Sequence, residues 1–420
     1  GINAWTDLPL IPFLYGLIFK FLGESRLYIQ LFTTFLFSMT VVLTCKTGKI
    51  LWDEETGFFA GIALLGMPYL FTQVPLMLVD VPTMFLLTLL IFTFIKAMNR
   101  GRVWIIISSI AVSLAFFSKY STWLMLSVLV VIFIVYLIQS AGNKAQNTPS
   151  LTLPPRGGGQ GWGGSRLKTQ SYIYRGGLVV LFAGLLIGIV VLLKFDVISG
   201  QVKFLQEYQK PGLKRWGESF LSSFFYQIHP FITSAALYSF YAAFKKRDLR
   251  YAIISWLIIL VFVLQIKRIR YIIIVFPMLA LMASYGLREI RDKGMRRFII
   301  ACAVMSSLVV TIFVYLPFLE KMSAVNLKNA GQFLNSLKTE KVEVFTLPQR
   351  ESAANPAVSV PILDLFTDKD ISYKYEKPLL KEWVQKSSIR FTWEYENPEY
   401  YNRGIKDSEN ADAVVVISDS

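Results

Sequence analysis

Val74-Pro75-Leu76-Met77-Leu78-Val79-Asp80-Val81-Pro82-Thr83-Met84 stands between two long apolar runs, Gly57–Leu78 and Val81–Lys96. It holds the only acid between Gly57 and Phe195. A carboxylate at the edge of a membrane-length run, bracketed by prolines, is costly unless it faces water or a polar cleft. The stretch therefore implies a membrane protein built around Asp80 and the basic groups on the same side of the bilayer.

Working outward, the apolar runs repeat. After Asp80 come Val103–Phe117 and Trp123–Ile138, then Gly176–Phe195, Leu221–Phe244, Tyr251–Ile266, Tyr271–Leu287 and Phe298–Leu316. Before it stands Leu27–Cys45. With 54% hydrophobic and only 17% charged residues, this is the composition of a polytopic α-helical membrane protein with about ten transmembrane helices. Asp7–Gly23 is short, carries Pro9 and Pro12, and ends at Lys20 and Gly23, which suits an interfacial helix. Residues 1–25 thus read as an outer loop and interfacial helix. Residues 26–317 read as the transmembrane domain, with a Pro/Gly/Ser-rich flexible cytoplasmic linker at 139–172.

From about Lys321 the apolar runs stop. Asn326–Leu337 has a helical period, Pro378–Val384 suits a second helix, and Val342–Thr346, Ile389–Trp393 and Ala413–Ile417 suit strands. Residues 318–420 are expected to be a soluble α/β domain. An even number of crossings places it outside the cytoplasm. Asp364, Asp368 and Asp370 read as a solvated loop. The chain starts at Gly1 within a polar stretch, so we expect an upstream helix in the full protein.

The formal charge of +15 would suggest nucleic acid in a soluble protein. Here the cations sit in short loops, where topology and anionic lipid account for them, so no nucleic-acid partner is expected. Cys45 and Cys302 lie in or beside apolar runs and read as separate thiols. Lys46, Lys49, Lys96, Arg100, Arg102, Lys245–Arg250 and Arg288–Arg297 mark alternate loops as cytoplasmic. The opposite loops, with Asp80, are therefore outer. They still carry Lys119 and the cluster Lys267-Arg268-Ile269-Arg270-Tyr271.

Asp80 reads either as a helix N-cap or as a general base or divalent-metal ligand in an outward cleft. The Lys267–Tyr271 cluster reads either as interfacial snorkelling or as a phosphate site, since guanidinium forks match phosphate oxygens. Lys119 is a snorkelling cap or a further ligand of that site, and Tyr271 could point its hydroxyl there. His229, alone of its kind, suits a structural hydrogen bond and cannot build a multi-histidine metal site. It is kept, with Glu207 and Tyr208, as a weak acceptor or cleft candidate.

The ordered set of stretches resembles the GT-C membrane glycosyltransferases, in their protein O-mannosyltransferase and aminoarabinose-transferase-like branch. Asp7-Leu8-Pro9-Leu10 through Phe19-Lys20-Phe21-Leu22-Gly23 is similar to the family's interfacial helix. Leu78-Val79-Asp80-Val81-Pro82 resembles its second outer acidic motif, and Phe117-Ser118-Lys119-Tyr120 its Thr-Lys turn. Lys267–Tyr271 followed by Phe276-Pro277-Met278-Leu279-Ala280-Leu281 is similar to its basic-Arg-Tyr motif. The resemblance implies a polyprenyl-phosphate-linked sugar as donor and a protein, lipid or glycan acceptor at the outer face. It implies donor-phosphate binding by Lys119, Lys267, Arg268, Arg270 and Tyr271. Asp80 and Asp7 are the catalytic candidates, Asp80 with a possible divalent metal ion. The family's first catalytic acid precedes the interfacial helix, ahead of this chain's start, and Asp7 is not equated with it. A lipid transporter or flippase without transferase activity is the competing class. It requires polar residues along a membrane path, whereas the mid-membrane stretches are nearly all apolar.

Overall fold

The computed structural model describes residues 8, 10–23, 25–99, 101–146, 163–204, 206, 219–321, 323–347, 355–375, 392–393, 395–401 and 413–418. The chain divides into two compact units, Gly1–Leu205 with Glu218–Tyr315 and Gln206–Gly217 with Leu316–Ser420.

The first unit is helical. Helix α1 (Leu10–Leu22) is short and apolar. It stops where Gly23 takes φ +93° and returns its N–H to the Phe19 carbonyl at 3.0 Å, a left-handed closure that a side chain would strain. Then come α2 (Arg26–Leu51), α3 (Glu54–Leu65), α4 (Pro68–Gln73), α5 (Asp80–Asn99), α6 (Arg102–Phe116), α7 (Ser121–Met125) and α8 (Val128–Gln146). Helices α9 (Gly163–Leu193) and α10 (Phe195–Phe204) follow. Past a π-helical turn (Ser222–Ile228) stand α11 (Pro230–Lys246), α12 (Tyr251–Val263), α13 (Ile269–Ile272), α14 (Phe276–Arg288) and α15 (Lys293–Val310).

Among the described residues six helices are long and apolar enough to cross a membrane, and Leu10–Leu22, Arg102–Phe116 and Tyr251–Val263 are shorter apolar helices. Burial sorts the long ones. The most apolar window is 83% buried in α5 and 89% buried across Ile269–Arg288, but 17% buried in Thr169–Leu193. Helices α5, α13 and α14 therefore form the centre of the unit, and α9 lies at its rim.

Several expected runs are broken. Gly57–Leu78 is not one helix: Gly66 closes α3, Pro68 opens α4, and 74–79 is a turn. Proline has no N–H to continue the ladder. Leu221–Phe244 breaks at His229-Pro230 for the same reason. Tyr271–Leu287 starts earlier, at Ile269, and passes through a 3₁₀ turn before Pro277. The expected linker is narrower than 139–172, since α8 runs to Gln146, α9 begins at Gly163, and Ser140 bonds Thr169 at 2.8 Å. Residues 147–162 lie outside the described ones.

Two close approaches hold the helices. A Cβ on Gly57 would run into the Cys45 carbonyl oxygen of α2, and one on Gly286 into the Ala235 carbonyl of α11. Small residues let helix backbones meet in this way where lipid supplies no hydrophobic drive. At the turn that follows α2, Trp52 donates to Asp248 at 2.7 Å and Arg250 donates to the Leu51 carbonyl at 2.6 Å. Asp53 caps α3 by accepting from the Thr56 N–H at 2.8 Å and pairs with Arg288 at 3.1 Å. Burial opposes its charge, but the Thr56 N–H and the Arg288 and Arg296 guanidinia outweigh that and hold Asp53 below the usual carboxylate range.

The second unit holds α16 (Leu316–Lys321), α17 (Val325–Ser336), β1 (Lys341–Thr346), α18 (Ser359–Asp364), β2 (Asp370–Ser372) and β3 (Ala413–Ile417). The sheet is parallel in the order β2-β1-β3, with Val342 opposite Ile371 and Val344 opposite Val415. Leu334, Val342, Val344, Val360, Leu363 and Ile371 are in its core. Of the expected strand Ile389–Trp393 only Thr392 and Trp393 are among the described residues. These two form a 3₁₀ turn, and among the described residues β2 and β3 flank β1. Pro378–Val384 lies outside the described residues. Asp364 accepts from the Tyr401 hydroxyl at 2.9 Å.

Gly57→Ala should destabilise the first unit by about 1–3 kcal/mol through overpacking, while Gly177→Ala, with open space beside it, should not. Thermal unfolding in detergent checks the contrast. Asp53 has a depressed folded pKa, so its contribution is complete at neutral pH and disappears as pH falls through the folded value. Asp53→Asn should lower the melting temperature at pH 7 and converge with the parent in acid.

Candidate active site

The turn 74–79 delivers Asp80 to the first position of α5. Pro82 fits the first helical turn, where no N–H is needed, and the Thr83 N–H reaches the Val79 carbonyl at 3.0 Å. The turn is tied to α1, because the Tyr15 hydroxyl donates to the Leu78 carbonyl at 2.8 Å. Tyr15 is itself buried. Sequence reasoning passed over it; a lone tyrosine in an apolar helix carries no signal of a distant carbonyl partner.

Asp80 is wholly buried, at 0% exposure. Each of its oxygens accepts from a cation: Oδ1 from Lys119 Nζ and Oδ2 from Arg270 Nε, the latter at 2.8 Å. This corrects the N-cap reading, since the carboxylate turns to two side chains rather than to free backbone amides. It also bears on the metal reading. Among the described residues no group of three or more His, Cys, Asp or Glu is placed to hold an ion, and both Asp80 oxygens are already engaged.

Lys119 lies in the four-residue turn 117–120 between α6 and α7. The Thr122 hydroxyl sits between the Ala115 and Lys119 carbonyls at 2.7 and 2.6 Å, and the Ser118 hydroxyl bonds the Ala115 carbonyl at 2.7 Å. These small hydroxyls fix the turn, so Lys119 enters the site from a set backbone. Arg270 lies in α13, just after the extended residue Arg268. The Ser223 hydroxyl of the π-helical turn donates to the Lys267 carbonyl at 2.7 Å and pins that approach.

Tyr271 completes the cluster. Its ring lies 4.8 Å from Lys119 Nζ and 5.6 Å from the Arg268 guanidinium carbon, so two cations flank one aromatic ring. Arg270 and Arg268 are half-buried and Lys267 is exposed. Two cations from distant segments thus meet one carboxylate, and Arg268 joins them through the Tyr271 ring. The arrangement retains positive charge at a partly open surface, which is what an anionic group needs for binding.

The other candidates fall elsewhere. Asp7, Glu207 and Tyr208 lie outside the described residues. His229 does not join the cluster. Its Nδ1 accepts from the Phe231 N–H at 3.3 Å as the cap of α11, and its Nε2 meets the Ser306 hydroxyl at 2.8 Å. With Nδ1 accepting, Nε2 carries the proton in this assignment, and the ring is a structural cap.

Residues 7–153 match the family of dolichyl-phosphate-mannose-protein mannosyltransferases. The matched stretch contains Tyr15, Asp80 and Lys119 and ends ahead of Arg270. No curated protein matches the chain. With six long apolar helices among the described residues, the chain is a multi-pass membrane protein. Over residues 7–153 it is similar to the dolichyl-phosphate-mannose-protein mannosyltransferases, which supports its resemblance to the GT-C membrane glycosyltransferases.

Proposed function

We propose that the protein transfers a sugar from a polyprenyl-phosphate carrier to an acceptor at the outer face of the membrane. The observation that carries this reading is the cluster of Lys119, Arg268 and Arg270 around Asp80 and Tyr271. In such a transfer the bond from the anomeric carbon to the phosphate oxygen breaks, and its electron pair stays with the phosphate. The acceptor oxygen bonds to that carbon, and its proton passes to a carboxylate base. Negative charge grows on the departing phosphate, and cations already in place stabilise it most where water is scarce.

The roles divide accordingly. Lys119, Arg268, Arg270 and Lys267 take the donor phosphate, and Tyr271 orders Lys119 and Arg268 around it. The base is assigned to a carboxylate other than Asp80, the family's first acid that precedes the interfacial helix. An apolar cleft of about 270 Å³, lined by Phe220, Phe224, Ala236, Ile258, Phe262 and Met282, suits the prenyl chain. The π-helical turn supplies Phe224 to that cleft and Ser223 to the Lys267 carbonyl, so one element serves tail and headgroup. The charge rule places this cluster and residues 318–420 on the outer side, where the α/β unit would meet the acceptor.

The test is donor consumption by the full-length protein in lipid nanodiscs, with labelled polyprenyl-phosphate sugars. Arg270→Gln and Lys119→Met should each lower kcat/KM by about 100-fold, the scale of losing one preorganised charge-stabilising donor. Lys245→Gln, in a loop the charge rule assigns to the opposite side, should match the parent. Variants as active as the parent, or a parent that releases no sugar from any such donor, would defeat the reading.

A further inference from the structure

Helices α13 and α14 lead from Arg270, beside Asp80, to Arg288. The charges around the loop that follows take no part in the transfer. Three ion pairs there close within the protein: Arg288 with Asp53 and Arg296 with Glu55, each at 3.1 Å, and Lys246 with Glu289 at 2.7 Å. Asp292 caps α15 by accepting from the Gly294 N–H at 2.8 Å. Arg291, Lys293 and Arg297 remain. All three are exposed, and among the described residues none of them has an acidic partner. Lys293, Arg296 and Arg297 also stand in the first turns of α15, where the helix dipole disfavours cations and favours an anion.

Beyond those turns the same side of α15 is apolar. Ile300 and Val304 come seven and eleven residues after Lys293, so they continue its stripe of the helix. They line a groove completed by Ile62 of α3, Phe231 of α11 and Leu287 of α14. The groove encloses only about 20 Å³, so a hydrocarbon chain would lie along it rather than inside it. Phe231 at its edge is 49% exposed, which leaves the groove open to lipid. At 1.5 Å per residue, Ile300 and Val304 lie about 10 and 16 Å along the helix from Lys293, within reach of an acyl chain whose headgroup sits there. Arg296 stands between the two, one turn before Ile300. Its side chain is 7% exposed, yet its Nε has no acceptor among the described residues. A buried N–H left this way costs about 1–3 kcal/mol, and an ester carbonyl next to the headgroup would satisfy it.

We infer that this groove binds an acidic diacyl phospholipid, its phosphate at Lys293 and Arg297, an ester carbonyl at Arg296 Nε and one acyl chain along Ile300 and Val304. Exposed cations alone would take any phosphate, and an apolar groove alone would take any lipid. Along α15 the order is exposed cation, buried donor, apolar groove. Along such a lipid the order is phosphate, ester, acyl chain. The site is separate from the cluster around Asp80, and the inference stands or falls without the donor reading.

The test is native mass spectrometry of the full chain in detergent with equimolar dioleoylphosphatidylglycerol and dioleoylphosphatidylcholine. The parent should retain phosphatidylglycerol about tenfold more than phosphatidylcholine, the scale of two cations facing one anionic headgroup. Lys293→Gln with Arg297→Gln should bring the two lipids within about twofold. Lys245→Gln with Arg247→Gln removes the same charge from exposed positions on another loop and should keep the parent's ratio. A hundredfold excess of glycerol 3-phosphate over phosphatidylglycerol should displace nothing, because it has no chain for the groove. Equal retention of both lipids by the parent overturns the inference. So does an equal fall in both double variants, which would show surface charge acting without a site. Displacement by glycerol 3-phosphate would show an anion site without a groove, and a lipid-free dimer would put a second copy there; either overturns the inference. If a variant does not fold, the parent's ratio and the glycerol 3-phosphate competition still decide.

Discussion

A carboxylate with no exposed surface cannot stand alone in a membrane protein. Stripping one ion of water costs several kcal/mol even after relaxation, and only close partners offset it. Asp80 meets that constraint with Lys119, 39 residues away, and Arg270, 190 residues away. The pairing fixes where the turn between α6 and α7 must stand and where α13 must begin. It also ties α5, which begins with Asp80, directly to α13, which carries Arg270. Removing one partner of such a pair typically costs about 3–5 kcal/mol, because the other charge stays buried.

The rest of the first unit supports that arrangement through backbone approach rather than bulk. Gly57 against Cys45 and Gly286 against Ala235 seat α3 on α2 and α14 on α11. The Ser284 hydroxyl donating to the Thr56 carbonyl at 2.6 Å ties α14 to α3. At the far end, Asp248 gathers Trp52 and Arg250, and Arg250 in turn caps α2. The charged cluster at one end and this polar clasp at the other hold the central helices along their length. The long rim helix α9 takes little part, as its low burial shows.

Residue patterns made some of this legible. Apolar runs marked α2, α5, α9 and α15 because lipid demands that backbone groups bond within a helix. The isolation of Asp80 and the surplus cations Lys119, Arg268 and Arg270 marked the site, since each is expensive where it stands. The breaks were less legible. Met67-Pro68 and His229-Pro230 interrupt runs whose hydropathy never falters, and hydropathy measures solvent preference rather than backbone hydrogen bonding. The strand β2 was missed because three residues, Asp370–Ser372, carry too short an alternation to stand out. The role of His229 turned on Ser306, 77 residues distant.

By itself the sequence determined that this chain crosses a membrane and which residues carry the unusual charges. Those follow from composition and local order, where each residue's preference for lipid or water acts alone. Only the tertiary structure decided what Asp80 does with its charge. Alone it could cap a helix, hold a metal or accept a proton. Its buried position between Lys119 and Arg270 selects an ion pair, because desolvation leaves a carboxylate no better partner than the nearest cations, and their nearness is a property of the fold.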